Sequence, residues 1–230
     1  MKQGRCSYKW LGQVDYGRAW DIQARLVSDR TKEKRNHSVL FLEHPPTYTL
    51  GRGGNTDHLL ITEDRLKELG AVMYRTDRGG DITFHGPGQL VGYPILDLKQ
   101  LGIGIKTYVR GLEEVLIRAL SVSGVNGERL PGFPGVWVRD EKVAAIGVRL
   151  NRNRITSHGF ALNVNNDLAY FSNIIPCGIR DKKVTTLKRL TNRAVQPVDI
   201  LKDVVAAFGE VFSLIMEGHY GNDITSQACN

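Results

Sequence analysis

The chain has 230 residues, 41% hydrophobic and 24% charged, with a formal charge of +7 and a pI near 9.4. That suits one large domain with a sizeable core, and the positive residues carry no nucleic-acid motif. No window approaches the run of about 18 apolar residues a membrane span needs, and Met1 to Tyr8 contains no apolar secretory core. Three cysteines, Cys6, Cys177 and Cys229, are odd in number and far apart, which argues against a disulfide framework and for a reducing compartment, the cytoplasm.

In chain order, Asp15 caps a helix to about Lys34, with Ala19, Ile22, Gln23, Leu26 and Val27 on a partly apolar face. Ser38 to Glu43 reads as a buried strand stopped by His44-Pro45-Pro46, and Thr47 to Leu50 as an extended segment before Gly51-Arg52-Gly53-Gly54. That glycine cluster reads only as a loop. Thr62 opens a helix over Glu63 to Leu69, stopped by Gly70, and Ala71 to Arg75 is a strand. Leu90 to Leu98 is mostly apolar, with Pro94 implying an edge or a bulge.

Ile105 to Val122 has the clearest helical period, through Tyr108, Leu112, Val115, Leu116, Ala119 and Leu120. A hairpin follows, Gly135 to Arg139 and Lys142 to Leu150 about Asp140-Glu141, then a strand from Ile155 to Val164. A last helix from Pro197 carries apolar residues as far as Ile215, and 218–230 reads as a frayed tail to a single catalytic domain spanning 1–217. Strands often follow one another directly, an α+β pattern.

Between the strand at Arg75 and the apolar run at Leu90 lies Arg78-Gly79-Gly80-Asp81-Ile82-Thr83-Phe84-His85-Gly86-Pro87-Gly88-Gln89. Four glycines and a proline exclude a helix, while Asp81 to His85 alternates polar and apolar as a half-buried strand does. The bland alternative is a plain glycine-rich hairpin. Arg78, Thr83 and His85, interleaved with glycines that admit close backbone approach, favour a binding site.

Pro176 and Gly178 suggest a turn around Cys177, where a thiol could be held in a cleft. A lone cysteine is more often an inert hydrophobe than a nucleophile, and a thiol near pKa 8.5 needs a cation or base to ionise at neutral pH. Lys142 starts the apolar strand Val143-Ala144-Ala145-Ile146, where its amine is either aimed along the sheet or snorkels at a hairpin tip. His85 and His158 are the other candidate bases, or satisfied structural histidines. The remaining histidines show no metal spacing, so no zinc site is expected.

Taken together, Arg78-Gly79-Gly80-x-x-Thr83-x-His85-Gly86-Pro87-Gly88-Gln89, Lys142 to Gly147, Thr156-Ser157-His158-Gly159-Phe160-Ala161-Leu162-Asn163 and Pro176-Cys177-Gly178 resemble the lipoyl(octanoyl) transferase family over about residues 10–190. These are octanoyl-[acyl-carrier-protein]–protein N-octanoyltransferases. The resemblance implies a central mixed, largely antiparallel sheet flanked by helices, the fold of biotin– and lipoate–protein ligases. It implies octanoyl transfer from acyl carrier protein, through a thioester on Cys177, to a lysine on lipoyl domains of 2-oxoacid dehydrogenases and the glycine-cleavage H protein. Lys142 would move the protons, its pKa lowered by the apolar strand.

The acyl walls would be Arg78, Gly79, Gly80, Asp81, Ile82, Thr83, Phe84 and His85, with Ala145, Ile146, Gly147, Gly159, Phe160 and Ala161. Backbone N–H groups near Ala144 to Gly147 would hold the oxyanion, and His158 would orient the shell. Thioester to amide is downhill, so neither ATP nor metal is implied, and the basic charge suits acidic carrier and acceptor proteins. Nucleic acid and membrane are not expected partners. The runner-up is an ATP-dependent lipoate or biotin ligase on the same fold; a basic scaffold without catalysis is a third reading.

Overall fold

The computed structural model describes residues 4–33, 36–175 and 183–219. Cys177 with its neighbours Pro176 and Gly178, Cys229 and most of the expected tail lie outside them.

The large sheet has strands β1 (Gly4–Gln13), β2 (His37–Glu43), β6 (Gln89–Ile95), β7 (Glu128–Leu130), β8 (Phe133–Val138), β9 (Glu141–Leu150), β10 (Thr156–Asn163), β11 (Lys183–Val184) and β12 (Leu214–His219). Their spatial order is β12-β1-β2-β6-β10-β9-β8-β7, with β11 alongside β9. From β2 to β7 every pairing is antiparallel; β12–β1, β1–β2 and β11–β9 are parallel. A second, three-stranded sheet joins β3 (Thr47–Leu50) to β4 (Val72–Arg75) and β5 (Ile82–His85). The fold is therefore α+β with a large mixed sheet.

Helices α1 (Tyr16–Glu33), α2 (Glu63–Glu68), α3 (Ile105–Val122), α4 (Leu187–Thr191) and α5 (Pro197–Phe212) complete the elements. Strand alternation sorts the core onto two faces. Val39, Phe41, Leu90, Phe160 and Leu162 pack with α3 and α5, while Leu40, Leu42, Val91, Tyr93 and Ala161 pack with α1. Both faces are covered, so Ser38 to Glu43 reads as one apolar run instead of an alternation. Tyr48, Leu50, Ile82 and Phe84 form a separate core under the small sheet with Phe171 and Ile174.

The caps follow the sequence. Asp15 Oδ1 accepts from Arg18 N at 3.1 Å, and Thr62 Oγ1 from Arg65 N at 3.3 Å. α3 runs over the expected residues, and all six of its periodic apolar positions are buried. Two expectations are corrected. The final helix stops at Phe212, where Ser213 turns left-handed, and Ile215 belongs to β12. The supposed tail starts too early, because Gly218 and His219 pair with Tyr8 and Lys9 of β1, itself a strand the sequence reading did not mark.

Pro94 lies in an interior strand. Its missing N–H is tolerated because the β6–β10 ladder opens between Gly92 and Asp97 and resumes in the same register at Asp97–Ile155. Across the gap, Thr156 Oγ1 donates to the Pro94 carbonyl at 2.7 Å.

Candidate functional site: a cavity where the large sheet parts

β8 pairs with β9 only as far as Gly135–Ala145, and beyond that the outer edge of β9 is left for another partner. The Arg78-Gly79-Gly80 turn supplies it, with Gly79 N donating to Val148 O at 2.9 Å. Between these two attachments the sheet parts into a cavity of about 400 Å³, a volume typical of small-molecule sites. Its walls hold Arg78, Gly79, Gly80, Asp81, Ile82, Thr83, His85, Lys142, Ala145, Ile146, Gly147, His158, Gly159, Phe160 and Ala161. The sequence-predicted residues thus meet from three separate segments.

Phe84 does not join them. On β5 its neighbours Thr83 and His85 face the cavity, so the period of two sends Phe84 to the opposite side. There it stacks on Tyr170 at 4.5 Å between centroids and meets Tyr48 and Phe171. Cys177 lies outside the described residues, and no geometry is given to it. Tyr16, Tyr93, Val109, Gly132, Phe133, Pro134 and Val148 also line the cavity and were not expected there. Tyr16 and Tyr93 sit at ordinary core periodicities, and Pro134 reaches the site only through hairpin pairing; no local pattern marks them.

Lys142 is aimed by a β-bulge. The β8–β9 register shifts between Val136 and Trp137, leaving Val143 as the extra residue beside Lys142. The Lys142 amine donates to Pro134 O at 3.3 Å and stands 4.8 Å from the Trp137 ring centroid. Trp137 is in turn fixed by its Nε1–H on Phe133 O at 3.1 Å.

Arg78 is built into the wall. It is 7% exposed, and its Nη2 donates to Thr49 O at 2.6 Å, Thr49 Oγ1 at 2.8 Å and Asp81 O at 2.8 Å. Nη1 reaches Gly79 O at 3.0 Å. These donors hold the glycine turn in shape. The Gly51–Gly54 loop, read from sequence as a mere connection, braces the same turn: Arg52 N donates to Arg78 O at 2.9 Å and Gly53 N to Gly80 O at 3.2 Å. On the facing wall, a side chain at Gly159 would place its Cβ 2.1 Å from Gly92 O, so only glycine lets β10 lie this close to β6.

A cluster of neutral histidines and tyrosines borders the cavity. Asp77 can only accept, so His158 Nε2–H donates to its Oδ1 at 2.8 Å, leaving Nδ1 to accept from Tyr16 O–H at 3.5 Å. His44 donates from Nδ1 to Val14 O at 2.6 Å and accepts from Tyr93 at Nε2, 2.7 Å. His85 donates from Nδ1 to Gln89 Oε1 at 2.8 Å, and Nε2 faces Thr49 Oγ1 at 3.3 Å. The Gln89 amide is oriented by donating to Phe84 O and Asn163 Oδ1.

Burial lowers all three imidazoles: His44 to about 4, His85 well below its ordinary value, and His158 more modestly because Asp77 opposes the loss. Burial also lifts the Tyr16 phenol to about 12. With both ring nitrogens occupied, these histidines shape the cavity and are poorly placed to shuttle protons.

The described chain on either side of Cys177 is anchored at this cavity. Ile175 N donates to His58 O at 2.8 Å, and His58 Nδ1 meets Asp81 Oδ2 at 2.5 Å on the wall. On the other side Val184 pairs with Lys142, and Thr185 N donates to Lys142 O at 3.0 Å.

Among the described residues no helix is long and apolar enough to cross a membrane.

The sequence model of the family described as lipoyl protein ligase A/B catalytic domain matches residues 15–209. The chain is 46% identical over 207 residues to an octanoyltransferase of Chloroflexus aurantiacus, covering 89% of this chain and 93% of the relative. To an octanoyltransferase of Rubrobacter xylanophilus it is 47% identical over 201 residues, 87% and 90% of the two chains. To the mitochondrial octanoyltransferase LIP2 of Arabidopsis thaliana it is 43% identical over 218 residues, 93% and 92%.

Solved structures share the fold at low identity. A bipartite lipoate protein ligase of Thermoplasma acidophilum superposes with a TM-score of 0.68 at 15% identity, covering 95% of this chain and 87% of that one. The biotin protein ligase of Aquifex aeolicus gives 0.52 at 17%, covering 90% and 69%.

Proposed function

We infer the chemistry from one premise: the chain belongs to the lipoyl protein ligase A/B catalytic domain family and, with the octanoyltransferases, is an enzyme moving octanoyl groups in protein lipoylation. The donor is octanoyl-acyl carrier protein and the acceptor a lysine on lipoyl domains, those of 2-oxoacid dehydrogenases and of the glycine-cleavage H protein. The octanoyl chain enters the cavity with its thioester toward Lys142.

In the first half-reaction Lys142 Nζ accepts the Cys177 thiol proton and the thiolate attacks the donor carbonyl. The carbon–sulfur bond to the carrier breaks as the bond to Cys177 forms, and the departing carrier thiolate takes its proton from Lys142. In the second half the acceptor amine attacks the Cys177 thioester, gives a proton to Lys142 and expels the thiolate, which Lys142 reprotonates. The outer edge of β9 past Ala145, unpaired by β8, offers the place for backbone N–H groups against the oxyanion. A thioester is exchanged for an amide, a downhill step, so the reading assigns neither ATP nor metal. It suits a reducing compartment, the cytoplasm.

The observation that carries this reading is an apolar cavity with Lys142 in its wall and the described segments that flank Cys177 in sequence anchored beside it. The test is acylation of a lipoyl domain with two donors. Octanoyl-acyl carrier protein without ATP should support it, and free octanoate with ATP should not; the reverse outcome would make the chain a ligase.

A further inference from the structure

A second cavity of about 340 Å³ adjoins the first, between the start of α3 and the β7–β8 turn. Gly132, Phe133, Pro134 and Val109 line both. The partition is thus the same segment whose Pro134 carbonyl holds the Lys142 amine. A molecule reacting at Lys142 with its acyl chain in the first cavity has the second as its adjoining exit.

The chemistry of this second space is specific. Ile105, Val109, Leu130, Phe133 and Pro134 make apolar walls, and Lys106 and Arg110 give a basic rim. Its acid, Glu113, is 1% exposed and already committed. Glu113 Oε1 accepts from Gly135 N at 3.2 Å, and its Oε2 pairs with Arg110 at 2.8 Å and Arg129 at 3.2 Å. The buried carboxylate anchors the two arginines. The Arg110 side chain is still 56% exposed and keeps N–H donors for a ligand.

We propose that this cavity receives the carrier arm of the donor: the amide-bearing pantetheine chain along its apolar walls, with the phosphodiester at Lys106 and Arg110. The proposal rests on the transferase reading. An ATP-driven ligase using free acid would leave this space without that use. The arm is flexible and mostly uncharged apart from its phosphate, so apolar walls joined by two basic side chains fit its chemistry.

The test compares kcat/KM for octanoyl thioesters of N-acetylcysteamine, pantetheine, 4′-phosphopantetheine and acyl carrier protein. Adding the phosphate to pantetheine should raise kcat/KM about tenfold, as one exposed charge-assisted contact would. Lys106→Glu should abolish that advantage. Ile105→Trp, which intrudes on the second cavity alone, should lower the ratio of pantetheine to N-acetylcysteamine turnover. A phosphate advantage that is absent in the native enzyme, or unchanged in Lys106→Glu, overturns the proposal. Failure to use any octanoyl thioester, the shortest included, would overturn the transferase reading instead.

Discussion

Replacing Arg78 tests whether the cavity wall is a prebuilt frame. Arg78→Met keeps much of the stem and removes every donor, leaving the carbonyls of Thr49 and Asp81 without the Nη2 they accept from at 2.6 and 2.8 Å. Hydrogen bonds to a charged donor are worth about 1.5–3 kcal/mol each, so two stranded acceptors cost about 3–6 kcal/mol. Arg78→Lys should recover only part of this, because a single ammonium cannot span Thr49, Asp81 and the Gly79 carbonyl as the planar fork does. Urea unfolding of the three proteins gives the numbers. Octanoyl transfer measured well below the unfolding midpoint shows whether the wall has moved. A loss under about 1 kcal/mol for Arg78→Met, with transfer intact, would refute the view that this guanidinium holds the glycine turn.

Three further outcomes are expected. Stability should be full above pH 6.5 and fall as pH drops toward 4, because the buried histidines are neutral when folded and take protons when unfolded; His44, lowered to about 4, contributes about 3 kcal/mol. Thermal unfolding across that window checks it, and a flat profile would contradict the neutral state of the buried histidines. Gly147→Val pushes carbon into the acyl space, its Cβ starting 3.0 Å from Arg78 Cδ. Displacing two methylenes at about 0.8 kcal/mol each should cut octanoyl kcat/KM about tenfold, with butanoyl affected less; equal loss for both would place the chain elsewhere. Gly159→Ala, with its Cβ 2.1 Å from Gly92 O, should reduce the folded yield, as circular dichroism of the purified protein would reveal.

Much of this architecture was legible locally. α3 could be read because a helix covered on one side shows its period, and α2 because Thr62 and Gly70 mark its ends. The Arg78 to Gln89 stretch announced a site because its glycines and polar residues alternate on a strand. Phe84 was misassigned by treating that strand as a block, though its own period of two sends every second side chain away. What stayed hidden depends on pairing at long range. Cys6, Tyr8 and Trp10 alternate as β1 requires, yet nothing nearby says that Leu214–His219 returns beside them. The bulge at Val143 and the placement of Pro134 arise only when β8 meets β9. The double use of Gly51–Gly54 likewise needs its partner turn.

The account turns on a covalent octanoyl relay through the Cys177 thiol. Its most direct test is intact-protein and peptide mass spectrometry after mixing with octanoyl-acyl carrier protein and no acceptor. One octanoyl group on Cys177, discharged when a lipoyl domain is added and absent in Cys177→Ala, is the predicted result. An unacylated Cys177 in an enzyme that still turns over, or normal turnover by Cys177→Ala, would contradict it.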